Sequence, residues 1–162
     1  METQSLIDKV VLEILTPVCE PVHAAWVNEH TTPIATSTAV LRLASGELIQ
    51  LAPCEVEVEP GKYPSLGLSV EPCDSSVLQW VRDGKTYSMH PLAEAAGLLP
   101  FTVSQFQESD PLGEGAVSEI VLLGSDGSLL FRHLMPPMTL GIEIIGQAPN
   151  NSFKPTPLRG AA

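Results

Sequence analysis

Apolar residues near the start of the chain recur every three or four positions. Within residues 3–15 the recurring apolar positions are Leu6, Ile7, Val10, Val11, Ile14 and Leu15. This spacing is typical of one face of a helix. Ser5 stands three residues before Asp8 and gives a start signal, and Pro17 gives a stop. We therefore favour a helix, with a strand through Val10–Leu15 as the alternative because β-branched residues are frequent there.

The pattern then changes to the two-residue alternation of strands. Apolar runs on both sides of Ala44-Ser45-Gly46-Glu47 predict a β-hairpin, and so do the runs Val77–Val81 and Lys85–Met89 around Asp83-Gly84. Cys54–Glu59 alternates strictly between apolar and acidic residues, which predicts a strand with one buried face and one solvated face. The remaining predicted elements are strands at Val22–Asn28, Leu66–Val70 and Phe101–Phe106, and a short helix at Leu92–Leu99 between two prolines.

Two landmarks of the first half return in the same order in the second half. The aliphatic run and turn that end at Gly46 resemble those that end at Gly127, and the Leu-Gly-aliphatic pattern at Gly67 returns at Gly141. The order predicts internal repeats at about 3–72 and 91–145, linked by a hairpin at 77–89, with chance similarity as the alternative. We therefore expect one β-rich α+β domain over residues 1–145, in which two helix-plus-antiparallel-sheet halves share one core. Residues 146–162 have little apolar periodicity and are expected to be a disordered tail.

The charge balance limits the classes of partner that this chain is expected to bind. The chain carries 19 acidic and 8 basic side chains, a formal net charge of −11. Such an excess repels phosphate backbones and anionic lipids, so we expect neither nucleic-acid nor membrane binding. An acidic surface attracts a basic protein and speeds its encounter, although the same charge also serves solubility alone. The three cysteines lack disulfide spacing and no leader or long apolar stretch is present, which favours a cytoplasmic setting.

No motif for catalysis, metal binding or phosphate binding is found in the sequence. Cys19 and His23 lie four residues apart, but the paired ligands of a structural zinc site are missing. There is no G-x-S-x-G motif and no Gly-rich loop with the spacing of a phosphate cradle. We therefore predict no catalytic residues, no metal, no cofactor and no enzymatic activity, with an enzyme of unrecognised type as an alternative.

Polar loops at equivalent places in the two halves are the candidate binding elements, since binding residues concentrate in loops on a rigid sheet, and simple solvated connections are the alternative. They run over residues 28–33 and 108–115, and the acidic strand adds further carboxylates. The segment Arg132–Met138 holds two methionines and two prolines, which suggests either a packed strand end or an adaptable contact surface. The candidate partner-binding residues are Glu29, His30, Glu55, Glu57, Glu59, Glu108, Asp110, Glu114, Arg132 and Met135.

Two resemblances complete the prediction. The last twelve residues, Asn151–Ala162, resemble a tail that recurs on unrelated reading frames in some gammaproteobacteria. The small, acidic, one-domain character resembles bacterial toxin-immunity proteins as a type, with no shared motif. This resemblance implies a non-catalytic domain that binds a toxin and neutralises it. We expect the toxin to be a basic protein, for example one that attacks nucleic acids. The alternative is a structural module that forms a homodimer.

Overall fold

The protein is a two-layer β structure in the computed structural model, which describes residues 3–17, 34–134 and 137–146. In these ranges the strands are β1 (Val10–Thr16), β2 (Ile34–Thr36), β3 (Ala39–Leu43), β4 (Leu48–Val56), β5 (Ser65–Cys73), β6 (Gln79–Arg82), β7 (Lys85–Ser88), β8 (His90–Pro91), β9 (Phe101–Thr102), β10 (Gln105–Ser109), β11 (Glu119–Leu123), β12 (Gly127–Leu134) and β13 (Thr139–Gly146). The helices of these ranges are 3-10 turns at Thr3–Leu6, Ser75–Leu78 and Ala93–Ala95.

Two antiparallel sheets contain most of the strands. The first has the order β5-β4-β3-β1-β8, and β9 pairs with the other end of β1 on the same side as β8. The second has the order β10-β11-β12-β13-β2. The hairpin β6–β7 forms a separate two-stranded sheet. The predicted α+β class is therefore wrong, because the described chain is almost entirely β and its longest helix has four residues.

The predicted N-terminal helix is replaced by strand β1, which was the alternative. Val11 pairs with Leu43 and Glu13 pairs with Arg42, so Leu12 is an extra residue in a β-bulge. A bulge shifts the alternation by one position. Val11 and Ile14 consequently both face the core although they are three residues apart. The bulge thus produces the spacing that is otherwise typical of a helix.

The predicted helix at Leu92–Leu99 is also wrong. Only Ala93–Ala95 is helical, as a single 3-10 turn, and the chain then bends through Leu98. Leu92, Ala95 and Leu98 all reach the core at a spacing of three residues, which one 3-10 turn followed by a bend satisfies. Eight residues between Pro91 and Pro100 leave little length for a stable helix.

Among the described residues, the chain passes from one sheet to the other at two corners. Residues 37–38 join β2 in the second sheet to β3 in the first, and Val103 with Ser104 join β9 in the first sheet to β10 in the second. The predicted strand Phe101–Phe106 is therefore divided between the two sheets. The predicted hairpins β3–β4 and β6–β7 are confirmed, and so is the strand at Leu66–Val70, which lies within β5.

One hydrophobic core lies between the two sheets. Val11, Leu41 and Leu51 of the first sheet share one cluster of buried side chains with Leu122 and Phe131 of the second. A smaller cluster lies on the outer face of the first sheet, where the segment 73–89 covers it. Its buried members are Leu15, Val40 and Leu48, and Cys73, Val77, Leu78 and Met89 pack against them.

A buried histidine joins the two sheets at one edge. His133 on β12 is 3% exposed, and its Nδ1 lies 2.9 Å from the carbonyl oxygen of Gly67 on β5. Its Nε2 accepts a hydrogen bond from the backbone N–H of Met138 at 2.8 Å. The ring is therefore held with the proton on Nδ1, since Nε2 acts as the acceptor. Through these two hydrogen bonds the histidine connects β5, at the edge of the first sheet, with the turn before β13.

Candidate functional site

Acidic side chains from two separate parts of the chain lie together at one end of the molecule. We call this the acidic end and define it by Glu55, Glu57, Glu59, Asp110 and Glu114. Glu55 is the ladder partner of Leu66, and the backbone N–H of Leu66 donates to Glu114 Oε1 at 2.9 Å. The Ser65 hydroxyl donates to the carbonyl oxygen of Glu114 at 2.6 Å. The loop 110–118 is thus attached to the start of β5, beside the three glutamates.

The loop carboxylates shape their own loop. Asp110 accepts hydrogen bonds from the backbone N–H groups of Glu114 and Gly115, at 3.1 Å and 2.7 Å. The Leu68 N–H donates to the Val117 carbonyl oxygen, which fixes the other end of the loop to β5. Two of the predicted partner-binding acids therefore also have a structural role, and the loop that carries them is fixed in place.

The acidic strand differs from its prediction. β4 ends at Val56, so Glu57 and Glu59 lie beyond the sheet. Val56 and Val58 are 36% and 45% exposed, although Val56 lies over Gly67 and Val58 lies against Gly115. Neither face of this segment is fully buried, and the expectation of one buried face is wrong. The exposed valines instead place apolar surface next to the carboxylates.

Tyr63 is the feature of this end that the sequence pattern did not single out. It is 98% exposed and lies in the turn between β4 and β5. Lys62, beside it, pairs with Glu59 at 2.6 Å on the surface. Pro60-Gly61 and Pro64 frame the tyrosine in a turn, and that signal was available in the sequence, since turn residues are exposed.

Two further predicted residues lie outside the acidic end. Glu108 is exposed on β10, two residues before Asp110, and pairs in the ladder with Ile120. Arg132 lies on the outer face of the second sheet, where its guanidinium is 2.8 Å from Glu119 Oε2 and 3.9 Å from Glu143 Oε1. The two carboxylates balance the charge of the arginine. Arg132 therefore stabilises the second sheet through these ion pairs.

The other predicted site residues, Glu29, His30 and Met135, lie outside the described residues. The predicted strand Val22–Asn28 and the tail from residue 147 onward also lie outside them, as do Cys19 and His23. The structure brings together five of the ten candidates, separates two from these, and describes none of the remaining three. No group of three or more possible metal ligands occurs among the described side chains.

A cleft of about 740 Å³ opens between the hairpin β6–β7 and the corner that joins β2 to β3. Trp80, Met89 and Met138 provide apolar walls, and Thr38 and Gln50 provide polar ones. Trp80 is half-buried and stacks on Tyr87 with ring centroids 6.0 Å apart. Alternation around Asp83-Gly84 could have identified the rings as cross-strand partners before the structure was known.

The described cysteines are half-buried and form no disulfide. Burial raises the pKa of the Cys54 thiol. Burial also raises the pKa of the Cys73 thiol, and the negative charge of Asp74 raises it further. A raised pKa lowers the thiolate fraction at neutral pH, so these thiols have the character of small apolar side chains and are weak nucleophiles.

Comparison with known proteins found no match to any family model, curated protein or solved structure. In the ranges that the structure describes, no helix has the length and apolar character needed to cross a membrane.

Proposed function

We propose that this protein acts as a non-catalytic binding domain, with the acidic end as its contact surface for a basic protein. The main support is that two chain segments, 55–59 and 110–114, meet there with five carboxylates on a hydrogen-bonded framework. Like charges held at one place repel one another, and a cationic partner relieves that repulsion. In the toxin-immunity type, that partner is a toxin whose basic cleft is blocked.

The exposed apolar groups of the acidic end add a second contribution. Tyr63 can supply contact area together with a hydroxyl, and its ring face attracts arginine or lysine side chains. Val58, which is 45% exposed, adds apolar surface to this end. Charge controls the rate of encounter and buried aromatic contacts control the lifetime of a complex, so both are needed for a tight inhibitor.

The test identifies the product of the gene next to this one and, where that product is a basic nuclease toxin, measures its association with this protein by stopped flow at 50 and 500 mM salt. We expect the rate constant to fall at least tenfold between the two salts. The variant Glu55→Gln/Glu57→Gln should lower it severalfold at 50 mM. The matched control is Glu94→Gln/Asp126→Asn, which changes the net charge equally at exposed positions away from the acidic end.

Three outcomes would contradict the proposal. They are the absence of micromolar binding to such a toxin, a rate that ignores salt, and equal effects of the two double variants. Light scattering on the isolated protein adds one distinction: a tight dimer with no affinity for the toxin would favour the assembly module instead.

A further inference from the structure

The cleft beside the hairpin β6–β7 carries a positive charge, whereas the molecule as a whole is negative. Among the described residues that line it there is no aspartate or glutamate, and the one charged side chain is Arg82. Arg42 and Arg132 each pair with a glutamate, whereas Arg82 has no ion-pair partner among the described residues. A free guanidinium at the wall of a cleft, in a chain of net charge −11, is a local site for an anion.

The hairpin places an aromatic ring and cations on one face. Trp80 and Arg82 are two residues apart on β6, so their side chains project from the same side. Their ladder partners on β7 are Tyr87 and Lys85, which share that face. The face therefore carries a stacked pair of rings at one end and two cationic side chains at the other. Asp83 lies in the turn beyond Arg82 and does not line the cleft.

The other residues that line the cleft can complete the enclosure of a small molecule. Met89 and Met138 offer flexible apolar surface that adapts to a flat ring. Gln50 and Thr139 add hydrogen-bonding groups. The Gln50 amide already donates to the Thr38 hydroxyl at 3.1 Å, which fixes the direction of the amide. A volume of about 740 Å³ lies within the range of sites that hold small organic ligands.

From this arrangement we propose that the cleft binds a small aromatic carboxylate. The ring of the ligand packs against the indole of Trp80 and the methionine side chains. Its carboxylate accepts hydrogen bonds from the Arg82 guanidinium, whose planar donors match two carboxylate oxygens. Lys85, beside Arg82 on the same face, adds attraction for the negative charge. This site is separate from the acidic end and does not depend on the function proposed for it.

The test compares 2-naphthoate with 2-naphthamide, which share a ring and differ in charge. Titrations of the full chain are followed by amide and indole NMR shifts, with the Trp80 indole signal assigned from Trp80→Phe. We expect naphthoate to shift the Trp80 signal and to bind at least tenfold more tightly than naphthamide. Arg82→Gln should remove most of the difference in affinity between naphthoate and naphthamide, and Lys85 accounts for what remains. Lys9→Gln removes the same charge from a surface pair with Glu47 and should leave the affinity unchanged.

Equal affinity for the two probes would overturn the proposal, and so would an Arg82→Gln variant that is folded and binds naphthoate normally. Absence of binding to the wild-type chain at millimolar probe would overturn it as well. That last result is expected if another part of this chain, or a second copy, already fills the cleft. A folded state is confirmed for each variant by its amide spectrum before titration.

Discussion

Two glycines in the sheets make room for a neighbouring side chain in the same way. Gly67 is the ladder partner of Cys54, and Gly141 is the ladder partner of Arg132. A Cβ on Gly67 would lie 2.9 Å from Val56, two residues after Cys54. A Cβ on Gly141 would lie 2.5 Å from Leu134, two residues after Arg132. In both places glycine is present because the adjacent side chain crosses over it.

This geometry predicts the effect of adding one methyl group. Gly141→Ala should lower the free energy of unfolding by about 1–3 kcal/mol, because Leu134 must leave its position. Leu134→Ala alone should cost about 2 kcal/mol or more through lost burial. The double variant should lose less than the sum, measured by urea unfolding, because the clash is then absent. Gly97→Ala is the control, since nothing lies within 4 Å of its Cβ position. Additive effects would show that the clash is not the cause.

The thiol of Cys73 gives a second prediction at the scale of single residues. Asp74→Asn removes the neighbouring charge that raises the pKa of Cys73, while asparagine still caps the following turn. The pKa should fall, the thiolate fraction at pH 8 should rise, and Cys73 should react severalfold faster with a disulfide reagent. Peptide mass spectrometry measures both cysteines in one sample, and Cys54 should keep its rate. An unchanged rate at Cys73 would mean that its burial alone controls the thiol.

At the scale of elements, predictions succeeded where a turn sequence fixed the local geometry. Gly46 and Asp83-Gly84 adopt positive φ, so the hairpins around them were predictable from residue type. Predictions failed where tertiary contacts altered the periodicity. The bulge at Leu12 imitates a helical pattern, and no local signal reveals a bulge before its partner strand is known. The transfer of the chain between sheets at Val103 is equally invisible to a pattern of alternation.

The part of the acidic end that is local in sequence was predictable, and the part that depends on distant contacts was not. The acids of residues 55–59 are adjacent in sequence, and their exposure follows from charge. Their meeting with Asp110 and Glu114 depends on the loop that crosses to β5, which is a contact between residues about 50 positions apart. The cleft combines residues from five separate parts of the chain, so only the hairpin face was open to prediction.

On the scale of the whole molecule, each of the two sheets contains a meander of four strands. In the first sheet β1, β3, β4 and β5 are successive neighbours, and in the second β10, β11, β12 and β13 are. The Gly67 and Gly141 contacts fall on the last strand of each series. The internal duplication stays a prediction, since a meander of four strands also arises by chance. The helices that the prediction placed in each half are not part of the fold.

The shared core predicts how the molecule unfolds. The inner faces of the two sheets are buried in one shared core, so neither sheet should remain folded alone. We expect one cooperative thermal transition for the two sheets, with equal calorimetric and van't Hoff enthalpies. Two resolved transitions, or a folded fragment of residues 1–89, would contradict this expectation.

The small cluster around Leu48 has a different consequence. It is the contact by which the segment 73–89 rests on the first sheet, and it is separate from the core between the sheets. Local opening of that segment exposes few apolar side chains, so its amide hydrogens should exchange with solvent far more readily than those of β3 or β12. One wall of the cleft can therefore rearrange around an incoming molecule while the rest of the protein keeps its shape.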